Sequence, residues 1–329
     1  MADLRAGLIG LGMMGRHHAR VLKSLPGVQL AAVADPGGDP HGVAGGLEVG
    51  SSVQHLIDAG VDYAMVAVPT IYHEEIALAL AEAGIHAMVE KPLAPDVAAA
   101  QRVAEAFASR GLVGAVGHIE RYNPSLQSLR ARLEAGDLGD VYQVITRRQG
   151  PFPARIADVG VVKDLATHDI DLTAWVTQSP FVSVAAHTAL KSGREHEDLV
   201  AVVGKLADGT VTNHLVNWLS PMKERVTVVT GERGTFVADT ITADLTFYAN
   251  GTVPTTWDSL AKFRGVSEGD VIRFAIPKPE PLRTEHEAFR DAVLGTGSDI
   301  VTMEQGLATV RVAEAVLRSA TTGATQAIG

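Results

Sequence analysis

The sequence predicts an α/β chain: an N-terminal doubly wound parallel sheet, then an α+β domain with a largely antiparallel open sheet. Three observations carry this. Short apolar runs alternate with helical patterns up to about residue 120, a glycine-rich turn joins the first run to the first helix, and beyond 120 the runs lengthen and several alternate apolar with polar residues. At 329 residues the chain exceeds the ~250 to 300 at which single cores stop growing, so two domains are expected, 1–120 and 121–329.

The apolar runs at 5–9, 28–34, 63–68, 86–89 and 112–116 have strand length and read as buried on both faces. Between them lie the helical patterns RHHARVLKSL, YHEEIALALAEAG and PDVAAAQRVAEAFASRG, the last with Pro at its start and Gly at its end. Residues 36–50, PGGDPHGVAGGLEVG, carry six Gly and two Pro, so a helix there is short or absent. Further on, GDVYQVITRRQG, FVSVAAHTAL, DLVAVVGKL, GTVTNHLVNWL, ERVTVVTG and GTFVADT read as strands, and Ala207-Asp208-Gly209 suggests a hairpin. Two helical patterns, RTEHEAFRDAVLG and MEQGLATVRVAEAVLRSA, follow. The change of pattern alone marks the domain boundary.

The formal charge is -10 with both signs interspersed, which argues against nucleic-acid binding, since counterion release needs clustered Lys and Arg. The absence of Cys excludes disulfides, thiolate zinc sites and Cys nucleophiles. The N-terminus lacks the basic start of a signal peptide, and no apolar run approaches the ~18 residues of a membrane span. A soluble cytoplasmic protein is expected, with no membrane partner.

Residues 7–15, GLIGLGMMG, place Gly10, Gly12 and Gly15 in a G-x-G-x-x-G between a strand and a helix, with Met13 and Met14 in the same turn. The glycines permit a tight turn, close approach to a pyrophosphate and a helix start near the sheet. Asp35 ends the second strand about 20 residues beyond Gly15, where a carboxylate holds ribose hydroxyls. This is the signature of a Rossmann domain. Asp35 repels a 2'-phosphate and no Lys or Arg follows within ten residues, so NAD is favoured over NADP.

Ligands of such sheets bind beyond the carboxyl ends of the strands. That edge offers Pro69, Thr70 and His73, then Glu90, Lys91 and Pro92, then Gly117, His118, Glu120 and Arg121. Lys91 emerges directly from a buried strand, and its bond to Pro92 is a candidate for the cis form. His73 is equally a helix-start residue or a cofactor contact, and His17 and His18 read as solvent or packing histidines. His118 reads as structural or as facing the second domain.

In VVKDLATHDIDL, a helix over 163–177 would align Asp164, His168 and Asp171 on one stripe, with Leu165, Leu172 and Trp175 on the packed side and Asp169 in solvent. A metal pair and an N-cap at Asp164 are open alternatives. An acid/base pair is favoured: Asp164 orients His168, whose imidazole accepts a hydroxyl proton, with Lys91 as partner. No metal is expected.

GLIGLGMMGRHHARVL, VADP, VAVPTIYHEEIALALAEAGIHAMVEKPLA, DLATHDIDL and EPLRTEHEAFRDAVLGTG together resemble the Gfo/Idh/MocA oxidoreductases. The resemblance implies that Lys91 and His168 lie by the nicotinamide and the reacting carbinol, with Asp164 in support. GHIERYNP and KDLATHDID are similar to the nucleotide-sugar branch, which includes UDP-N-acetylglucosamine 3-dehydrogenases and deoxysugar ketoreductases. His118, Glu120, Arg121, Tyr122, Asn123 and Asp171 are the candidate substrate contacts. The expected activity is NAD-dependent oxidation of a sugar hydroxyl, with C3 of a nucleotide sugar as the leading position, by a homodimer or homotetramer. The rivals are an inositol or free-sugar dehydrogenase, a 3-ketoreductase, and a non-catalytic sensor of NAD.

Overall fold

The computed structural model describes residues 3–152, 159–251 and 268–329. The chain forms two compact units, Met1–Ile119 with Pro279–Glu314, and Glu120–Lys278 with Ala315–Gly329. A single cut near 120 therefore captures the first crossing but not the return. The closing helical patterns are amphipathic, and amphipathicity does not say which sheet a helix will cover.

In the first unit β1 (Leu4–Ile9), β2 (Val28–Ala34), β3 (Val49–Gly50), β4 (Tyr63–Val66), β5 (His86–Glu90) and β6 (Gly114–Gly117) form one sheet, ordered β3-β2-β1-β4-β5-β6. All its pairings are parallel. Helices α1 (Met13–Leu22), α2 (Val53–Asp58), α3 (His73–Glu82) and α4 (Val97–Ser109) lie between the strands. Every residue of β4 is buried, as a strand covered on both faces requires. Asp96 caps α4 by accepting from the Ala99 N–H at 2.8 Å. Residues 36–48 hold no helix, as their glycines predict, and lead into β3, which is too short to show a period.

The second unit contains α5 (Pro124–Glu134), β7 (Val141–Pro151), α6 (Thr167–Thr177), β8 (Phe181–Ala189), β9 (Leu199–Leu206), β10 (Val211–Asn217), β11 (Leu219–Gly231), β12 (Gly234–Asp239), β13 (Asp244–Asn250) and β14 (Glu268–Arg273). With β15 (Gln326–Ala327) they build a nine-stranded sheet, ordered β14-β13-β12-β11-β7-β10-β9-β8-β15. Its pairings are antiparallel except β7 with β10. The expected hairpin joins β9 to β10, with Gly209 at φ +95°. Leu126 and Leu129 of α5 and Leu172 and Val176 of α6 pack on Val144, Val229, Phe236 and Ala238, so the helices cover one face of the sheet.

The returning segment brings α7 (Pro281–Val293) and α8 (Met303–Thr322). Phe289 of α7 enters the first unit's core, edge-on to Tyr63 at 5.4 Å between centroids. Val301 O accepts from the Val116 N–H at 2.9 Å, which covers the outer edge of β6. Among the described residues no helix is long and apolar enough to cross a membrane.

Candidate active site

The glycine-rich turn has the form a dinucleotide needs. Gly10 sits at φ +94°, and a Cβ there would meet the Ala67 carbonyl oxygen at 2.4 Å. A Cβ on Gly15 would lie 1.9 Å from the Gly10 carbonyl oxygen, so only glycine lets α1 start this close to β1. At Gly12 an added Cβ would find nothing within 4 Å, and this N-cap has no side chain to satisfy the first-turn N–H groups. Met13 and Met14 open the helix there, and their N–H groups and the helix dipole are left to an anion. Asp35 follows β2 directly. Its Oδ2 accepts from the Leu11 N–H and its Oδ1 from the Gly37 N–H, both at 2.7 Å, which orients the carboxylate beside the turn. These residues fit NAD.

At the neighbouring strand ends, Pro69 and Thr70 enter a 3-10 turn over Thr70–Tyr72 that leads to His73. His73 is buried, with Nδ1 2.9 Å from Pro92 O and Nε2 3.0 Å from Val68 O. The ring thus ties the loop after β4 to the turn after β5. Burial lowers its proton affinity, and a neutral imidazole donates to one carbonyl at a time. Lys91 is half-buried at the end of β5, and the Lys91-Pro92 bond is cis. The Glu90 carboxylate turns back to α1, accepting from His18 Nε2 at 2.9 Å and from the Lys91 N–H at 3.0 Å. His18 is fully buried, a packing histidine with a polar task.

In the second unit the expected helix over 163–177 is two pieces, a π-helical turn at Val162–Ala166 and α6. Asp164 lies inside the turn and Ala166 is the N-cap of α6, which removes the capping role for Asp164. A π turn sets the spacing off the α-helical stripe and is frequent at functional sites. Asp164, His168 and Asp171 are all buried, and so is Asp169, which was expected in solvent. Asp169 Oδ2 accepts from Arg148 Nε at 2.9 Å, and Arg148 Nη1 donates to Glu120 Oε1 at 2.8 Å. Burial opposes the Arg148 charge, but the two carboxylates outweigh it and raise its proton affinity. At Asp169 burial wins and raises the carboxyl, whereas at Glu120 burial is overcome by Arg148 and the carboxyl is held low.

The other candidate substrate contacts are largely engaged in structure. Arg121 forks onto Asp171 at 2.8 and 2.6 Å, Tyr122 is buried, and Asn123 caps α5 through the Ser125 N–H at 3.1 Å while donating to Thr240 O. His118, in the first unit, is buried. Sequence reasoning missed Arg148 and His286. The only hint of Arg148 was the Arg147-Arg148 pair on an alternating strand, which puts one arginine on each face.

A parallel sheet with this glycine turn and carboxylate defines a dinucleotide-binding oxidoreductase. Residues 4–118 match the oxidoreductase family described as having an NAD-binding Rossmann fold, and residues 126–237 match its Gfo/Idh/MocA C-terminal domain. The chain belongs to the Gfo/Idh/MocA family, and NAD is its cofactor. It is 34% identical to UDP-N-acetylglucosamine 3-dehydrogenase of Acidithiobacillus ferrooxidans over 65% of this chain and 66% of that protein. With scyllo-inositol 2-dehydrogenase (NAD(+)) of Bacillus subtilis it shares 31% identity over 56% and 57%. These alignments span less than two thirds of the relatives' lengths. Over nearly whole chains, the solved structure of the Acidithiobacillus enzyme superposes with a TM-score of 0.83 at 26% identity, covering 98% of this chain and 99% of that one. GenD2 from gentamicin A biosynthesis, solved in complex with NAD, superposes at 0.82 and 26% identity over 100% and 97%.

Proposed function

We propose that the protein oxidises a sugar hydroxyl to a ketone, with the C3 hydroxyl of a nucleotide sugar such as UDP-N-acetylglucosamine as the leading substrate. NAD, when bound, accepts the hydride. His168 takes the hydroxyl proton, Asp164 orients the imidazole, and the Lys91 ammonium donates a hydrogen bond to the same oxygen as it becomes a carbonyl. Asp35 would hold the adenosine ribose and the N–H groups at Gly12 to Gly15 would hold the pyrophosphate.

The supporting observation is that Asp164 and His168 are both buried and stand on either side of a π-to-α junction, in a chain whose Lys91 emerges at the carboxyl edge of the NAD-binding sheet. Lys91→Ala is expected to lose at least ~10²-fold in kcat, the usual contribution of a positioned proton-handling group, with NAD affinity retained. Unchanged turnover removes Lys91 from the mechanism. A substrate panel decides the rest: the similarity to inositol 2-dehydrogenases supports the second reading, a cyclitol or free-sugar dehydrogenase. Tight NAD binding with no reduction by any polyol or nucleotide sugar would favour a sensor.

The sheet face of the second unit opposite α5 and α6 exposes Val203, Val211, Tyr248 and Val271. An apolar face of this kind suits a second copy of the chain, and light scattering should show a dimer or tetramer.

A further inference from the structure

Behind Lys91, inside the first unit, four titratable side chains gather away from solvent. The carboxylate of Glu90 accepts from the Lys91 backbone N–H through Oε2 and from His18 Nε2 through Oε1. The far nitrogen of His18, Nδ1, lies 2.9 Å from His286 Nε2 on α7. His18, His286 and Glu285 are each at most 1% exposed. Water cannot balance protons there, so the side chains must balance them among themselves.

The hydrogen-bond inventory orders the chain. An ionised carboxylate only accepts, so His18 Nε2 carries a hydrogen and donates to Glu90, and the other end of the ring bonds His286 Nε2 through Nδ1. The hydrogen bonds thus link His286 through His18 to Glu90. Glu285 adds a second carboxyl with neither oxygen hydrogen-bonded among the described residues. Two neighbouring buried carboxyls do not both ionise. Burial, then the Glu90 charge, push Glu285 well up, so it keeps the proton. Burial also pushes Glu90 up, but the His18 hydrogen bond, with His18 and Lys91 nearby, holds it below the usual range. His73 approaches from α3, its proton affinity lowered by burial, and β6 presents only Gly117, where a Cβ would lie 3.3 Å from the Glu90 Cα.

We propose that His18 and His286 are positioning residues for Lys91. The His286–His18–Glu90 chain keeps Glu90 ionised and fixed, so that its Oε2 grips the Lys91 backbone and its charge faces the ammonium. This rests on the reading that Lys91 acts on the substrate hydroxyl.

The test compares His286→Asn, whose short amide cannot reach His18, with His286→Gln, whose amide nitrogen can take the place of Nε2. In ligand-free protein carrying 13Cδ-glutamate, with the Glu90 resonance assigned through Glu90→Gln, the Glu90 midpoint should rise by about one pH unit in His286→Asn and return in His286→Gln. The acid limb of kcat should move up by the same amount, with KM unchanged. A merely structural histidine would lower melting temperature and activity together without moving either titration. Equal Glu90 midpoints in wild type and His286→Asn overturn the proposal. Failure of the functional reading looks different: Lys91→Ala keeps its turnover while the Glu90 midpoint still follows residue 286.

Discussion

In the second unit buried arginines are locked face to face with carboxylates, whereas in the first the buried titratable cluster is one of histidines and glutamates. Arg148 between Asp169 and Glu120, and Arg121 on Asp171, keep their charge at any pH the fold survives, because guanidinium does not deprotonate in proteins. In the His18–Glu90–His286–Glu285 group burial lowers His286 well below and raises Glu285 well above their ordinary values. Both arrangements satisfy low-dielectric surroundings. The second lies directly behind Lys91.

The comparison breaks most sharply at Arg148. Arg148→Met leaves buried Asp169 and half-buried Glu120 without their cation, and should cost about 3 to 5 kcal/mol in denaturant unfolding. A loss under ~1 kcal/mol would mean that the carboxylates simply take up protons. Asn123→Ala removes a cap and the bond to Thr240 O, for about 1 to 2 kcal/mol with the midpoint shifted and the m-value unchanged.

The smallest effect sharpens the contrast and concerns slope rather than level. Glu285 has a raised folded-state proton affinity, so the folded protein binds more protons than the unfolded one above the ordinary value of 4.5. Its contribution to stability therefore falls as pH rises from there. Glu285→Gln removes that fall: its melting temperature relative to wild type should climb between pH 5 and pH 8. Parallel curves would place an ionised, compensated Glu285 in the native state.

The first unit was legible because its signals are local. A buried parallel strand is a continuous apolar run, and the glycine turn and Asp35 sit at fixed offsets from it. The second unit's polar network was not legible. Thr167 to Thr173 are all buried, so α6 offers no amphipathic stripe from which to tell Asp169 from Asp171. The π turn moved Asp164 off the expected spacing, and the partners of Asp169 and Asp171 lie 21 and 50 residues away in sequence. His286 stood in a recognised helix, but nothing local connects it to His18, 268 residues earlier.

The return of residues 279–314 to the first unit has a consequence for how the protein is made. Phe289 completes the core around Tyr63, and Val301 closes the edge of β6. The ribosome delivers both only after all of 120–278 has emerged. During synthesis the NAD-binding sheet must therefore wait with an uncovered edge and an unfilled core, while the intervening unit can already fold. A chain released before about residue 314 would lack part of its cofactor domain even though the glycine turn, Asp35 and Lys91 had long been translated.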